Sequence, residues 1–134
     1  MDLENAKAQM RKGVLEMCIL AIIAEEEIYP KAISDRLKEH DLIVVEGTLY
    51  PLITRLKNDG LLDYSWQESN IGPPRKYFKI TKEGRNFLAG LTLSWEQLVQ
   101  SVQQTLDAAA RSGHPTDAQS DPADSEGAYF NPPA

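Results

Sequence analysis

The chain has one cysteine, Cys18, and two histidines, His40 and His114, among its 134 residues. An intrachain disulfide is therefore impossible, and no ligand set of the kind a structural zinc requires can be assembled. Secreted disulfide scaffolds and zinc fingers are excluded, and no metal or cofactor is expected. Long apolar runs are also lacking. The longest, Val14 to Ala24, is interrupted by Glu16, falls well short of the ~20 residues that cross a bilayer, and is followed by no small-residue cleavage site. No membrane partner is expected, and the expected location is the cytoplasm. A nucleophile–base pair and a phosphate-cradling glycine loop are likewise missing, which argues against an enzyme. Positive charge is in the minority: 14 Lys and Arg stand against 20 Asp and Glu, a net charge of −6. Taken as one number, that speaks against nucleic acid, whose condensed counterions are displaced by cationic side chains.

The charge is not evenly spread. Residues 107–134 carry one base, Arg111, against five acids, whereas residues 1–106 carry 13 bases and 15 acids. Residues 71–85 hold Arg75, Lys76, Lys79, Lys82 and Arg85 against Glu83 alone. Salt screens charges beyond about 8–10 Å, so a polyanion near this stretch responds mainly to it and little to the acidic end. The length and the 42% hydrophobic content suit one domain with a modest core. Residues 112–134, rich in Pro, Ala, Ser and Asp, are expected to form an acidic disordered tail, because such a segment buries too little apolar surface to offset its chain entropy.

Periodicity predicts the elements. A first helix is expected from about Glu4 to Glu26. Between Val14 and Ala24 it is apolar nearly all round, which implies burial on two sides, the second by a partner subunit. Pro30 suits the first turn of a helix over Lys31–His40, with Ile33 and Leu37 inward and His40 at its end. A third helix, Thr48 to Asp59, is expected to be capped by Thr48, with Pro51 in its first turn and Gly60 as its stop. Leu49, Leu52, Ile53 and Leu56 form its core face; Pro51, Thr54 and Asn58 point outward, flanked by Thr48 and Arg55 on one side and Tyr50 and Lys57 on the other. Leu62, Tyr64 and Trp66 alternate with polar residues as in a half-buried strand, residues 69–74 read as a turn, and Lys76–Ile80 returns as a second strand. Thr81 caps a long helix, although Gly84 stands where a capping box would place Glu or Gln. Along that helix Leu88, Leu91, Trp95, Leu98, Val102, Thr105 and Ala109 form a heptad seam suited to helix pairing. Cys18 is expected to be a small core residue, and Glu25, Glu26 and Glu27 a solvated acidic helix end.

The fold class is thus mostly α with a small β-hairpin: a winged helix-turn-helix unit at residues 1–81, then a dimerisation helix at 82–111 and the tail at 112–134. In such a unit the third helix enters a major groove of double-stranded DNA and the hairpin reaches an adjacent backbone or minor groove. Acidic winged helices also suit protein interaction, and the residues alone leave that alternative open.

The stretches Arg11-Lys12-Gly13-Val14-Leu15-Glu16, Glu46-Gly47-Thr48-Leu49-Tyr50-Pro51 and Gly72-Pro73-Pro74-Arg75-Lys76-Tyr77-Phe78, with Thr81-Lys82-Glu83-Gly84-Arg85 after them, resemble the PadR family of bacterial transcriptional regulators, in its short subfamily. The resemblance covers about residues 8–106. It implies a winged-helix homodimer, usually a repressor, that binds a palindromic operator and in some members is released by a small aromatic or hydrophobic effector. Many members carry Tyr-Gly-Tyr where this chain has Tyr29-Pro30-Lys31, so Lys31 stands in place of the second tyrosine. The candidate DNA-binding residues are Tyr29, Lys31, Thr48, Tyr50, Pro51, Thr54, Arg55, Lys57, Arg75 and Lys76. The candidate dimer interface is Val14, Leu15, Cys18, Leu88, Leu91, Trp95, Leu98 and Val102. For Trp95 two readings stand: dimer core by its place on the seam, or, by the resemblance, the wall of an effector pocket with Met10, Met17, Leu98, Val99 and Val102.

Overall fold

The computed structural model of the protein describes residues 1–112, so the expectation for the acidic tail lies outside the described residues. Its elements run α1 (Leu3–Lys12), α2 (Leu15–Glu25), α3 (Pro30–Glu39), α4 (Glu46–Asn58), β1 (Leu62–Ser69), β2 (Gly72–Ile80) and α5 (Lys82–Ser112). The chain separates into two compact units, one from Met1 to Leu91 and one beginning at Thr92 within α5.

The single first helix expected from the sequence is in fact two. α1 ends at Lys12, Gly13 caps it, and Val14, at φ −115° and ψ 0°, begins α2 without a side-chain cap. The change of character explains the break: α1 buries none of its residues, whereas α2 buries Leu15, Ile19, Leu20, Ile22 and Ile23. The all-round apolar character of α2 does not require a partner subunit, since α3, α4 and β2 all pack against it. Ile19, Leu20, Ile22 and Ile23 meet Ile28, Ile33, Leu37, Leu49, Ile53, Leu56, Leu62 and Phe78 in one core. Each such side chain contributes roughly 1.5–3 kcal/mol by burial. Cys18 packs partly buried against that core, and burial pushes its thiol pKa up. A thiol so placed is a packing residue and a poor nucleophile.

Two helices stop by the same backbone device. After α3, Asp41 and Leu42 donate their N–H groups to the carbonyls of Lys38 (3.0 Å) and Leu37 (2.8 Å); after α4, Gly60 and Leu61 donate to Lys57 (3.0 Å) and Leu56 (2.9 Å). This motif needs a left-handed residue just past the cap. Gly60 supplies it at φ 80°, but at the first site Asp41 takes it at φ 60°. Asp tolerates that region better than most side chains, at a cost glycine avoids. Asp41→Gly is therefore expected to raise stability by about 0.5 kcal/mol and Asp41→Val to lower it by about 1–2 kcal/mol, read from urea denaturation midpoints.

Helix α4 starts two residues earlier than predicted, with Val45 as its cap residue and no side-chain cap, so Thr48 is not the cap and Pro51 lies inside the helix. There Pro51, which has no N–H, cannot donate to the carbonyl of Gly47, and the helix is one internal hydrogen bond short at this turn.

The hairpin is longer than expected. β1 and β2 pair antiparallel from Leu62↔Ile80 to Ser69↔Gly72, so the turn is only Asn70-Ile71 and both prolines lie in the strand. The register slips between Gln67↔Arg75 and Ser69↔Gly72, which sets Pro73 and Pro74 opposite Glu68 alone. A bulge is where a sheet accommodates residues that lack an N–H. Only the base of the hairpin is core: Leu62 and Phe78 are buried, while Tyr64 and Trp66, expected to be half-buried, are exposed. Ile28 fastens this base to the helices, its N–H donating to the Phe78 carbonyl at 3.0 Å and its carbonyl accepting from the Phe78 N–H at 2.9 Å.

Candidate nucleic-acid interface

The Ile28 bridge fixes where Tyr29 goes. It lies beside β2, where its ring meets Tyr77 edge-on at 5.3 Å, and the guanidinium of Arg75 sits 4.3 Å from its centroid. Arg75 is thereby held over an aromatic face, an arrangement worth about 0.5–1 kcal/mol at an exposed site. On the paired face of the hairpin, Lys76 lies opposite Trp66. Its Nζ is 4.0 Å from the Tyr64 centroid, 5.7 Å from Phe78 and 5.9 Å from Trp66. The Nζ of Lys57, from α4, lies 5.4 Å from the same Tyr64 centroid. The cations are thus presented by rigid rings, not left to sweep the solvent.

These side chains border a cleft of about 480 Å³ lined by Tyr29, Pro30, Lys31, Tyr50, Ile53, Thr54, Trp66, Arg75, Lys76 and Phe78. Six of the ten residues nominated from the sequence meet there: Tyr29, Lys31, Tyr50, Thr54, Arg75 and Lys76. They come from the start of α3, the outward side of α4 and the distal part of the hairpin. Lys31 is also tied along its own helix, donating from Nζ to Asp35 Oδ1 at 2.8 Å; that hydrogen bond and the charge of Asp35 raise its pKa. Thr48, Pro51, Arg55 and Lys57 do not line the cleft. Arg55 turns to the opposite flank, where its Nε–H donates to Glu16 Oε2 at 2.9 Å and a second N–H to Glu16 Oε1. The bond to Glu16, then its charge, raises the Arg55 pKa.

One expectation from charge is corrected. Arg85 does not belong to a free basic patch, because its guanidinium donates to the Ala24 carbonyl at the end of α2 (3.3 Å). The three acids that close α2 are exposed but paired: Arg36 donates to Glu25 (3.4 Å) and Glu26 (2.6 Å), and the Gln67 amide donates to Glu27 (3.2 Å). Trp66, which its alternation predicts to be half-buried, lines the cleft at 64% exposure. Its distance from the hairpin base was the available signal, since a strand of eight residues outruns a core that only its first residue enters.

The candidate interface and effector residues divide between the two units. In the first, Leu15 is buried in its own chain, Cys18, Leu88 and Leu91 pack against the core, Val14 and Met17 are half-buried, and Met10 is exposed. In the second, Trp95, Leu98, Val99 and Val102 are all exposed along α5. Val102 also borders a shallow groove with Ser101, Thr105 and Leu106.

A core of three helices, to which α4 gives Leu49, Ile53 and Leu56 while its other side stays exposed, a two-stranded wing packed against α4, and a long following helix together define a winged helix protein. Residues 19–90 match the model of the transcriptional regulator PadR-like family, and the chain belongs to that family. It is 31% identical over 94 residues to the transcriptional regulator Rv3488 of Mycobacterium tuberculosis, covering 70% of this chain and 87% of that one. Among solved structures it is similar to a PadR-like transcription factor from Bacteroides fragilis, at 56% identity and a TM-score of 0.63, over 74% of this chain and 96% of the other. It is also similar to a PadR family transcriptional regulator from Eggerthella lenta, at 32% identity and a TM-score of 0.73, over 78% and 91%. No helix among the described residues is long and apolar enough to cross a membrane.

Proposed function

We propose that the protein is a homodimeric, sequence-specific DNA-binding repressor of a palindromic operator, acting in the cytoplasm. The observation that carries this reading is the cleft, where Tyr29, Lys31, Tyr50, Thr54, Arg75 and Lys76 converge from three elements beside the exposed side of α4. Cations held on rings next to an exposed helix suit a duplex: α4 enters the major groove, and Arg75 and Lys76 take phosphates of the flanking backbone. The apolar residues Trp95, Leu98 and Val102, exposed at successive seam positions, support pairing of α5 with a second copy. A dimer gives the two-fold symmetry a palindrome mirrors. Release by a small aromatic or hydrophobic effector near Trp95 rests on family membership and on the exposure of that ring.

The test is binding of the full chain to the DNA upstream of its own gene, against a scrambled duplex, across a salt series. A preference for the upstream DNA, with log K falling steeply against log salt, is expected. No preference together with a flat salt response would return the protein-interaction reading.

A further inference from the structure

The pairing of Arg55 with Glu16 joins residues 39 apart in sequence and ties the exposed helix α4 to the first turn of α2. Glu16 is well placed to hold its partner, because the N-terminal end of a helix favours a carboxylate. The contact is made along the side of the guanidinium, through Nε and Nη2. Of the five guanidinium N–H groups two are taken, and the three left include the fork at the end of the group, one hydrogen on each Nη. That end fork is the one that pairs with two acceptors on a base edge, as guanine O6 and N7 present in the major groove. The carboxylate also cancels the charge of Arg55 at contact distance, so a phosphate gains little by approaching it.

We propose that Glu16 is a positioning residue that makes Arg55 a reader of a base edge instead of a phosphate clamp. The proposal rests on the DNA-binding reading above and adds to it a division of labour: the wing cations neutralise backbone, while Arg55, neutralised in advance and held in one orientation, contributes discrimination. The side chains of Glu16 and Arg55 are 35% and 59% exposed, so the pair contributes little to folding and its removal leaves the fold intact.

The experiment compares the unmodified chain, Glu16→Gln, Arg55→Ala and the double variant on upstream and scrambled duplexes across salt. Glu16→Gln is expected to reduce discrimination between the duplexes about tenfold and to steepen the salt dependence by about 0.9 per subunit, as the released charge of Arg55 takes a phosphate. In the Arg55→Ala background the same substitution should change neither quantity. An equal change in both backgrounds would show Glu16 to be a plain repulsive charge and overturn the proposal, as would no change in either. The Arg55 Nε–H resonance, measured without DNA, separates the two layers. A slowly exchanging signal in the unmodified chain that is lost in Glu16→Gln reports the pair itself. Absence of operator preference in the unmodified chain would instead overturn the DNA-binding reading, and the role of Arg55 with it.

Discussion

Gly84→Ala is expected to destabilise the protein by about 3 kcal/mol, while Gly90→Ala, on the same helix, is expected to stabilise it by up to about 1 kcal/mol. Helix propensity alone gives both changes the same favourable sign, so only packing separates them. A Cβ at position 84 would stand 2.2 Å from the Leu61 carbonyl oxygen and 2.7 Å from Ile80 Cγ1, whereas at position 90 it would meet nothing within 4 Å. The Leu61 oxygen cannot move aside cheaply, because it already accepts from the Thr81 N–H at 3.1 Å. Thr81 is fixed in turn: its hydroxyl donates to the Gly60 carbonyl (2.7 Å) and accepts from the Gly84 N–H (2.9 Å). Alanine at 84 therefore has to pry the start of α5 away from the end of α4 and break this joint. Urea denaturation of both variants decides the matter: opposite shifts of the midpoint at an unchanged slope are expected, and a stabilised Gly84→Ala would show that α5 does not pack here as described.

The same joint shows what the sequence could and could not disclose. Thr81 as the cap of α5 and Gly60 as the stop of α4 were legible, since both rest on local backbone rules. The glycine at position 84 looked like a missing half of a capping box, and its reason, the approach of Leu61, comes from a residue 23 positions away that no local rule sees. The split between α1 and α2 was hidden differently: Gly13-Val14 is too slight a break to read through an apolar run, and it became visible only through the contrast between an unburied α1 and a buried α2. Among the site residues, periodicity on α4 separated inward from outward positions correctly but could not say which flank faced the hairpin. That flank decides that Tyr50 joins the cleft while Arg55 turns to Glu16. The net charge misled for a related reason. It sums Glu25, Glu26 and Glu16, each engaged by an arginine, with wing cations that no carboxylate answers in the described contacts.

Replacing Arg75 and Lys76 together by alanine is expected to weaken DNA binding by about ten-thousandfold or more at physiological salt, because charge-assisted contacts are worth roughly 1.5–3 kcal/mol each and the dimer carries two copies of both. The salt dependence should fall by about 3.6, from four phosphates at 0.9 each. Stability should drop by only about 1 kcal/mol, the loss of the ring contacts, since Arg75 is exposed and Lys76 half-buried on the part of the hairpin beyond the core. The two residues are expected to differ when charge is kept. The Arg75 guanidinium lies 4.3 Å from the Tyr29 centroid, and a lysine there offers a compact ammonium in place of a planar, delocalised group that stacks on rings. Arg75→Lys should therefore keep the salt slope of the unmodified chain while losing affinity several-fold, as the cation is no longer held in place. Lys76, surrounded by Tyr64, Phe78 and Trp66, offers a compact charge to which the rings give direction. For it, Trp66→Ala should reproduce part of the effect of removing the lysine, with the slope again preserved. Titrations at several salt concentrations distinguish loss of charge from loss of placement, and an unchanged slope in the double alanine variant would mean that the wing does not reach the phosphates.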